Sequence, residues 1–197
     1  NVLSETTTIR GEIPIPNASF GNMGIFIKDN WQLISDKLKL TTGGRMDIIQ
    51  VKNQEAYDPE YISVNGNILA VTPGQRITFK KNKQLNLSWS LNTGLLYTLS
   101  NHIDITLSAG RAFRSPSLEE RFKYIDLGSS VRIGDPDLKP EQGWFADGGF
   151  RLWFSRFNLI GNIYLNRMNN LIVEMPGEFI FSYSAGPTEN DTLPALI

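Results

Sequence analysis

The chain has 197 residues, a formal net charge of −1 and 41% hydrophobic residues, and it contains no cysteine. The near-neutral charge offers no basic excess to neutralise phosphates, so a nucleic-acid partner is not expected. No stretch approaches the roughly 20 consecutive apolar residues of a membrane-spanning helix, and the lack of cysteine excludes disulfides and thiolate metal sites. The fold must therefore be inferred from the periodicity of the hydrophobic residues.

The first predicted element is a long β-hairpin with a turn near residues 35–37. Apolar residues alternate with polar ones on both sides of this turn. The alternating positions are Ile25, Ile27, Trp31, Leu33, Leu38, Leu40, Thr42 and Met46. A period of two is typical of strands that have one apolar face.

The second predicted hairpin contains the clearest alternation, over residues 85–99. At roughly 3.3 Å per residue, this strand is longer than the hydrocarbon layer of a bilayer, even when tilted. It is also about three times the usual strand length of soluble domains. A short turn at Asn101 and His102 leads to a returning strand over 103–110.

A third hairpin is predicted over 144–154 and 157–165, with its turn at Ser155 and Arg156. The connections at the other end of the hairpins are long. They cover roughly residues 52–84, 115–140 and the tail from about 175. Short turns on one side and long loops on the other are typical of outer-membrane barrels, in which the short turns are periplasmic.

The predicted fold class is therefore all-β: an antiparallel up-and-down transmembrane β-barrel, partial, with about six long strands and long extracellular loops. Residues 62–69 should form a small hairpin around the Asn65-Gly66 turn. Residues 188–197 are expected to be loop-like, without a final amphipathic strand. The alternative is a soluble β-sandwich, which would have strands of about five or six residues.

Four segments resemble one known family, in the order in which that family has them. Residues 24–33 with 38–47 resemble its strand-turn-strand signature, and residues 109–120 (AGRAFRSPSLEE) are similar to its "FRAP" segment. Residues 134–141 (GDPDLKPE) resemble its "NPDLKPE" segment, and residues 164–172 resemble the strand that follows. The family is the TonB-dependent outer-membrane receptors, and the resemblance lies in the later part of their β-barrel.

This resemblance implies a receptor of the Gram-negative outer membrane. In the full family, an N-terminal plug domain fills a 22-stranded barrel, and a TonB box contacts the energy machinery of the inner membrane. We expect residues 1–197 to be a single segment of such a barrel domain, with no plug domain present. The implied partners are outer-membrane lipid, the plug domain of the same full-length chain, the TonB complex through that chain, and a small-molecule metal chelate.

Polar residues occupy the second face of the predicted strands. They are expected to line a hydrated interior or to contact the plug. These residues are Lys28, Asn30, Asn86, Asn92, Asp104, Asn158 and Asn162.

The candidate ligand-binding residues lie in the charged connection between 114 and 141. They are Arg114, Glu119, Arg121, Tyr124, Arg132 and Asp137. The three arginines could contact an anionic siderophore or another acidic cargo through forked hydrogen bonds. Alternatively, mixed charges of this kind pair with one another or solvate the loop.

A haem cargo is disfavoured by the position of histidine. The family's haem receptors carry a histidine between the two boxes, but residues 117–134 contain none, and the single histidine, His102, lies in a predicted periplasmic turn. Tyr124 could ligate haem iron, although an ordinary loop aromatic is the alternative. No pattern predicts a resident metal, a cofactor or an enzymatic triad, so the chain is not expected to be an enzyme.

The sequence thus predicts part of a receptor that binds and imports a scarce nutrient, such as a ferric siderophore or another metal chelate. A passive porin or a surface adhesion barrel without energy coupling is the alternative. A soluble β-sandwich that serves as a binding domain is a third possibility.

Overall fold

A computed structural model describes residues 6–183 and 191–197 of the chain. Nearly all regular structure is β-strand, with one short helix. The elements in chain order are β1 (Thr8–Gly11), β2 (Ala18–Ile34), β3 (Leu38–Asn53), β4 (Ala56–Asp58), β5 (Tyr61–Val64), β6 (Asn67–Ile68), β7 (Arg76–Phe79), β8 (Asn82–Ser100), β9 (Ile103–Arg114), α1 (Leu118–Phe122), β10 (Tyr124–Asp126), β11 (Val131–Ile133), β12 (Glu141–Trp153), β13 (Asn158–Asn169), β14 (Pro176–Tyr183) and β15 (Asp191–Leu196). Within the described ranges, no helix has the length and apolarity needed to cross a bilayer.

Six long strands form a single antiparallel sheet, which we call the wall, in the order β13-β12-β9-β8-β3-β2. These strands have 12–19 residues each, and consecutive strands of each hairpin pair directly. The three predicted hairpins and their short turns are thereby confirmed, although most strands extend further toward the loops than predicted. One sheet of such long strands does not fit the alternative of a soluble sandwich.

The register of the wall places the predicted apolar residues on one face. Ile25 pairs with Met46, and Met46 pairs with Trp89. Directly paired residues share a face of a sheet, so these side chains project together. We call this the outward face, and its Ile25 and Ile27 side chains are 74% and 76% exposed. An exposed apolar surface of this extent is the pattern of a lipid-facing barrel strand.

The inward face is polar near the short turns and covered near the loops. Lys28 pairs with Gly43, which pairs with Asn92, so the predicted polar positions on these strands share this face. Toward the loop end of β3, Ile49 and Val51 lie on the same face and are 1% and 2% exposed. The loops bury this upper part of the wall.

The connections at the loop end form a second, compact structure, which we call the loop layer. It consists of α1 and a six-stranded sheet in the order β10-β11-β15-β14-β7-β4. Its core contains two wall residues and seven residues from the connections. They are Ile49, Val51, Ala56, Phe79, Phe122, Tyr124, Val131, Ile133 and Ala195.

The expectation of a loop-like tail from about residue 175 is wrong for the residues that the structure describes. β14 pairs with β15, and β15 pairs in parallel with β11 through Val131 opposite Ala195. This pairing satisfies backbone hydrogen bonds that a buried irregular segment would leave unmade. Residues 188–190, which the same expectation included, lie outside the described residues.

The predicted hairpin over 62–69 is confirmed as β5 and β6. Asn65 and Gly66 have φ angles of 51° and 84°. Two successive left-handed residues match the tight turn that an Asn-Gly pair favours. β5 also pairs with β1, which completes a three-stranded sheet.

Candidate functional site

Arg114 joins three elements at the loop end of the wall. Its Nε donates to Oε2 of Glu141 at 2.6 Å, and its Nη2 contacts Oε1 of Glu120 at 2.9 Å. Because Arg114 ends β9 and Glu141 begins β12, the contact with Glu141 links two neighbouring wall strands. The contact with Glu120 links the same arginine to α1. The Arg114 side chain is still 49% exposed.

Helix α1 begins with a capping box. The backbone N–H of Glu120 donates to the Ser117 hydroxyl at 3.1 Å, and the Glu120 carboxylate accepts from the Ser117 N–H at 2.7 Å. This reciprocal pair satisfies two amides at the helix start. The Arg114 guanidinium lowers the pKa of Glu120 below its ordinary value, and the Ser117 hydrogen bonds act in the same direction.

Arg121 is completely buried and connects the two motif segments. Its Nη1 donates to Oε1 of Gln84 at 2.7 Å and to the carbonyl of Pro136 at 2.5 Å. The Gln84 amide in turn donates to that carbonyl and to Oδ1 of Asp137, each at 2.8 Å. Nε and Nη2 of Arg121 have no hydrogen-bond partner among the described residues, and burial lowers the pKa of its guanidinium. The arginine therefore holds the 134–141 segment against β8.

Gly134 allows the closest approach between α1 and the segment after β11. Its N–H donates to the carbonyl of Lys123 at 2.7 Å, and a Cβ at this position would lie 2.5 Å from the carbonyl oxygen of Glu120. A side chain would force these two backbones apart. The glycine is thus part of the packing that positions the candidate residues.

Tyr124 is buried and bonded to a buried carboxylate. Its hydroxyl donates to Oδ2 of Asp58 at 2.9 Å, and Nη2 of Arg10 donates to the other oxygen of Asp58 at 2.5 Å. The Asp58 side chain is 2% exposed. Burial, followed by the Asp58 hydrogen bond, raises the pKa of the Tyr124 hydroxyl. This network joins β1, which contains Arg10, and β4, which contains Asp58, to β10.

Arg132 and Lys123 share one carboxylate at the mouth of a cavity. Arg132 Nη2 pairs with Oε2 of Glu174, and Lys123 Nζ lies 3.3 Å from Oε1. These two cations lower the pKa of Glu174, with Arg132 having the larger effect. The cavity has a volume of about 520 Å³ and lies between the α1–β11 segment and residues 171–176.

The cavity has an apolar body and a charged rim. Glu119, Glu120, Lys123, Asp135 and Glu174 supply the charges, and the remaining lining is mainly aliphatic. The volume falls within the range of pockets that hold small molecules.

All six predicted ligand residues belong to the loop layer or its border, but their exposure differs. Arg114, Glu119 and Arg132 have side chains that are 49%, 64% and 41% exposed. Arg121 and Tyr124 are 0% and 7% exposed, and Asp137 accepts from Gln84. Four residues that bind members of this set are not predicted from the sequence. They are Asp58, Gln84, Glu141 and Glu174. Arg10, which binds Asp58, is not predicted either.

His102 lies at the other end of the wall, in the turn between β8 and β9. Its ring stacks on Phe154 with 5.8 Å between ring centroids and 13° between planes. The described residues contain no group of three or more His, Cys, Asp or Glu side chains that could hold a metal ion.

Comparison with known proteins places these features in one family. Residues 3–190 match the family described as "TonB dependent receptor-like, beta-barrel". The chain is 26% identical, over 134 residues, to the Heme/hemopexin utilization protein C of Haemophilus influenzae (strain 86-028NP). This match covers 64% of the chain and only 15% of that relative.

Two solved structures share the fold. A double mutant of the Serratia marcescens hemophore receptor HasR, in complex with its hemophore HasA and heme, has a TM-score of 0.61 and 13% identity, over 92% of this chain and 30% of that one. The copper transporter OprC has a TM-score of 0.57 and 18% identity, over 91% of this chain and 24% of that one. The chain therefore spans less than a third of the length of each of these proteins.

The family consists of receptors and transporters for nutrient uptake, not enzymes, and it is a family of the Gram-negative outer membrane. The described wall has the antiparallel meander and the outward apolar face that such a barrel requires. With the family match extending over residues 3–190, the chain belongs to the TonB-dependent receptor β-barrel family.

Proposed function

We propose that the chain is part of an outer-membrane receptor that binds and imports a scarce nutrient, such as a ferric siderophore or another metal chelate. Residues 1–197 form a single segment of its barrel domain. The observation that carries this proposal is the combination of a lipid-compatible wall with a folded loop layer at one end only. The match of residues 3–190 to the TonB-dependent receptor family favours a receptor over a passive pore.

The two faces of the wall suit different partners. The outward face, with Ile25 and Ile27 about three-quarters exposed, fits outer-membrane lipid. The inward face near the short turns carries exposed polar residues such as Lys28 and Asn30. These residues would contact the plug domain of the same full-length chain, through which the TonB complex would act.

The exposed members of the loop layer are the proposed cargo contacts. Arg114, Arg132 and Glu119 combine charge with exposure beside or near the cavity. An anionic chelate would compete with Glu120 and Glu174 for the two guanidinium groups. Arg121 and Tyr124 would instead hold the loops in position, because they are buried and each is bonded to a neighbouring segment. Asp137 would do the same through the hydrogen bond that it accepts from Gln84.

Haem is a second candidate cargo, because one relative is named for haem and hemopexin utilization and the HasR structure contains heme. This chain adds no histidine to the loop end, since His102 stacks on Phe154 at the short-turn end. The Tyr124 hydroxyl is bonded to Asp58. If the receptor binds haem, a histidine ligand to the iron would therefore come from outside this segment.

The test uses the full-length receptor that contains this chain. Purified receptor is titrated with ferric siderophores, haem and copper chelates, and uptake is measured in cells with and without a proton-motive force. We expect one chelate to bind at micromolar affinity or better, with uptake that requires the proton-motive force. Uptake that persists without it would favour the passive porin, and no binding of any chelate would refute the receptor proposal.

Loop variants then test the proposed contacts. Arg114→Gln and Arg132→Gln should each weaken binding of an anionic chelate by roughly tenfold, since a hydrogen bond to a charged group contributes about 1.5–3 kcal/mol. Arg156→Gln, in the short turn at the opposite end of the wall, is the matched control and should leave binding unchanged. Equal effects of all three variants would rule out the assignment to the loop layer.

A further inference from the structure

The cavity between the α1–β11 segment and residues 171–176 has more acidic than basic side chains in its lining. Its carboxylates are those of Glu119, Glu120, Asp135 and Glu174, whereas Lys123 is the one cation among the lining residues that the structure describes. Carboxylates are ionised at neutral pH. The rim of the cavity is therefore negative before the neighbouring ion pairs are counted.

The neighbouring cations do not remove this negative charge. Arg132 pairs with Glu174, and Arg114 pairs with Glu120. Arg114 also pairs with Glu141, which brings a fifth carboxylate to the cluster. Three cations (the two arginines and the lysine) therefore face five carboxylates, and two negative charges remain in excess.

Asp135 is the carboxylate of the rim that lacks a cationic partner. It forms no ion pair with any residue in the described part of the chain, although its charge acts at longer range on the buried Arg121. Its Oδ1 accepts from the N–H of Asp137 at 2.8 Å, and its own N–H donates to the carbonyl of Glu120 at 3.2 Å. The residue is only partly exposed. These bonds fix a partly desolvated negative charge at the edge of the cavity.

Behind this rim, the cavity is apolar. Ile133, Leu138, Leu171, Ile172 and Met175 all contribute to its lining, and Ile133 is 5% exposed. The volume of about 520 Å³ is large enough for an extended aliphatic or aromatic group rather than for a single ion. The cavity thus combines an apolar body with a carboxylate at its edge.

Three other kinds of ligand fit this combination less well. An anionic group would face the excess negative charge, and a neutral apolar group would desolvate Asp135 without giving it a partner. A bare metal ion has no suitable group of three or more His, Cys, Asp or Glu side chains among the described residues. An apolar group that carries an ammonium satisfies both parts, because ammonium–carboxylate hydrogen bonds are charge-assisted.

We propose that the cavity binds an apolar arm of the cargo that carries an ammonium group. The arm packs against the aliphatic lining, and the ammonium donates to the carboxylate of Asp135. This inference rests on the proposed receptor function and narrows the class of cargo. The cargo is zwitterionic: its anionic groups contact Arg114 and Arg132, and its ammonium contacts Asp135.

The experiment measures binding of a matched set of probes to the full-length receptor in a non-ionic detergent, by isothermal titration calorimetry with a detergent blank. The probes are 4-phenylbutylammonium, its neutral N-acetyl derivative and the anion 4-phenylbutyrate. None of them chelates iron. We expect the ammonium probe to bind at least about fivefold more tightly than the N-acetyl derivative, which corresponds to about 1 kcal/mol. The anion should bind most weakly.

Two variants locate the ammonium. Asp135→Asn should remove most of the fivefold preference, and its amide oxygen can still accept from the N–H of Asp137. Asp36→Asn makes the same chemical change in the short turn between β2 and β3, at the other end of the wall, and should leave the preference intact. Asparagine tolerates the positive φ of 56° at that position.

A third variant separates the loss of a charge from a general loosening of the loops. Arg132→Gln releases Glu174 from its ion pair and makes the rim more negative. It should tighten binding of the ammonium probe by about twofold, as expected for one partly exposed charge. The same variant should weaken binding of an anionic chelate. A loosened loop layer would weaken both.

Each other outcome overturns the proposal. Equal binding of the ammonium and N-acetyl probes, or no binding of either, would show that the cavity does not recognise an apolar ammonium. Tighter binding of 4-phenylbutyrate would assign the cavity to anions, and equal effects of Asp135→Asn and Asp36→Asn would place recognition elsewhere. A receptor that imports a chelate but binds no ammonium probe refutes this inference alone. A receptor that binds the probe but no chelate refutes the proposed function.

Discussion

In the wall, the outward side chains of Met23, Ile25 and Ile27 are 77%, 74% and 76% exposed, whereas in the loop layer Phe122 and Val131 are 3% and 0% exposed. Both regions are rich in apolar residues, but only the loop layer buries them within the protein. The wall depends on its hydrogen-bonded strand ladders and on a lipid solvent for its apolar face. The loop layer is stabilised in the same way as a small soluble domain.

The largest expected effect is on the core of the loop layer. Phe122→Ala removes a ring that packs edge-on against Phe79 at 5.7 Å, and it should destabilise the loop layer by about 3–5 kcal/mol. Native-state hydrogen exchange at β10 and β11 in the full-length receptor measures this change. Leu127→Ala, at a site that is 55% exposed in the same layer, is the control and should cost less than about 1 kcal/mol. Similar losses for both would mean that the layer has no packed core.

The wall should respond to charge on one face only. Ile163→Arg places a cation on the outward face at the middle of β13 and should destabilise the barrel by about 2–4 kcal/mol. Asn162→Arg, one residue away on the inward face, should have little effect because it projects into the polar interior. Urea unfolding of the receptor in lipid vesicles gives the free energy of unfolding of each variant. A smaller loss for the outward variant would contradict the assignment of the faces.

A smaller effect is expected from the buried network of Tyr124. Tyr124→Phe keeps the ring but removes one hydrogen bond to the buried Asp58, at a cost of about 1.5–3 kcal/mol. Tyr57→Phe removes a similar 2.7 Å bond to Glu55, but that bond is exposed, so its loss should cost under about 1 kcal/mol. Hydrogen exchange at β10 compares the two variants, and the network has no structural role if β10 is equally protected in both.

The smallest effect concerns pH. The pKa of Glu120 is lowered in the folded protein, so its stabilising contribution is fully present above the ordinary glutamate pKa of about 4.3 and is lost as pH falls through the lower folded value. We expect exchange at α1 to accelerate as pH falls below about 4, after correction for intrinsic exchange rates. Glu120→Gln should abolish this pH-dependent increase in exchange. An increase that persists in the variant would show that another carboxylate causes it.

The two regions also differ in how far the sequence predicts them. The wall hairpins were predictable because alternation persists over 85–99 and the turns are short, so each strand pairs with its neighbour in the chain. The loop layer depends on contacts between distant residues, such as Asp58 with Tyr124 across 66 positions. No local pattern indicates such a pairing.

The candidate site shows the same limit. The charge and the neighbouring motifs predict that Arg114, Arg121 and Arg132 lie near the same loop end, but they give no sign of which arginine is buried. Burial of Arg121 is decided by Gln84 and the Pro136 carbonyl, which approach it only in the folded chain. For the same reason, the sequence predicts an irregular tail where the structure has β14 and β15.

The parallel pairing of β11 with β15 has a consequence for the order of assembly. The contact joins Val131 to Ala195, so the sheet of the loop layer cannot be complete until the last described residues of the chain have emerged and docked. The wall hairpins form locally through short turns. The pairing of β11 with β15 joins distant parts of the chain, so its formation must overcome a larger loss of chain entropy. The loop end of the receptor should therefore be the last part of this segment to acquire its native form.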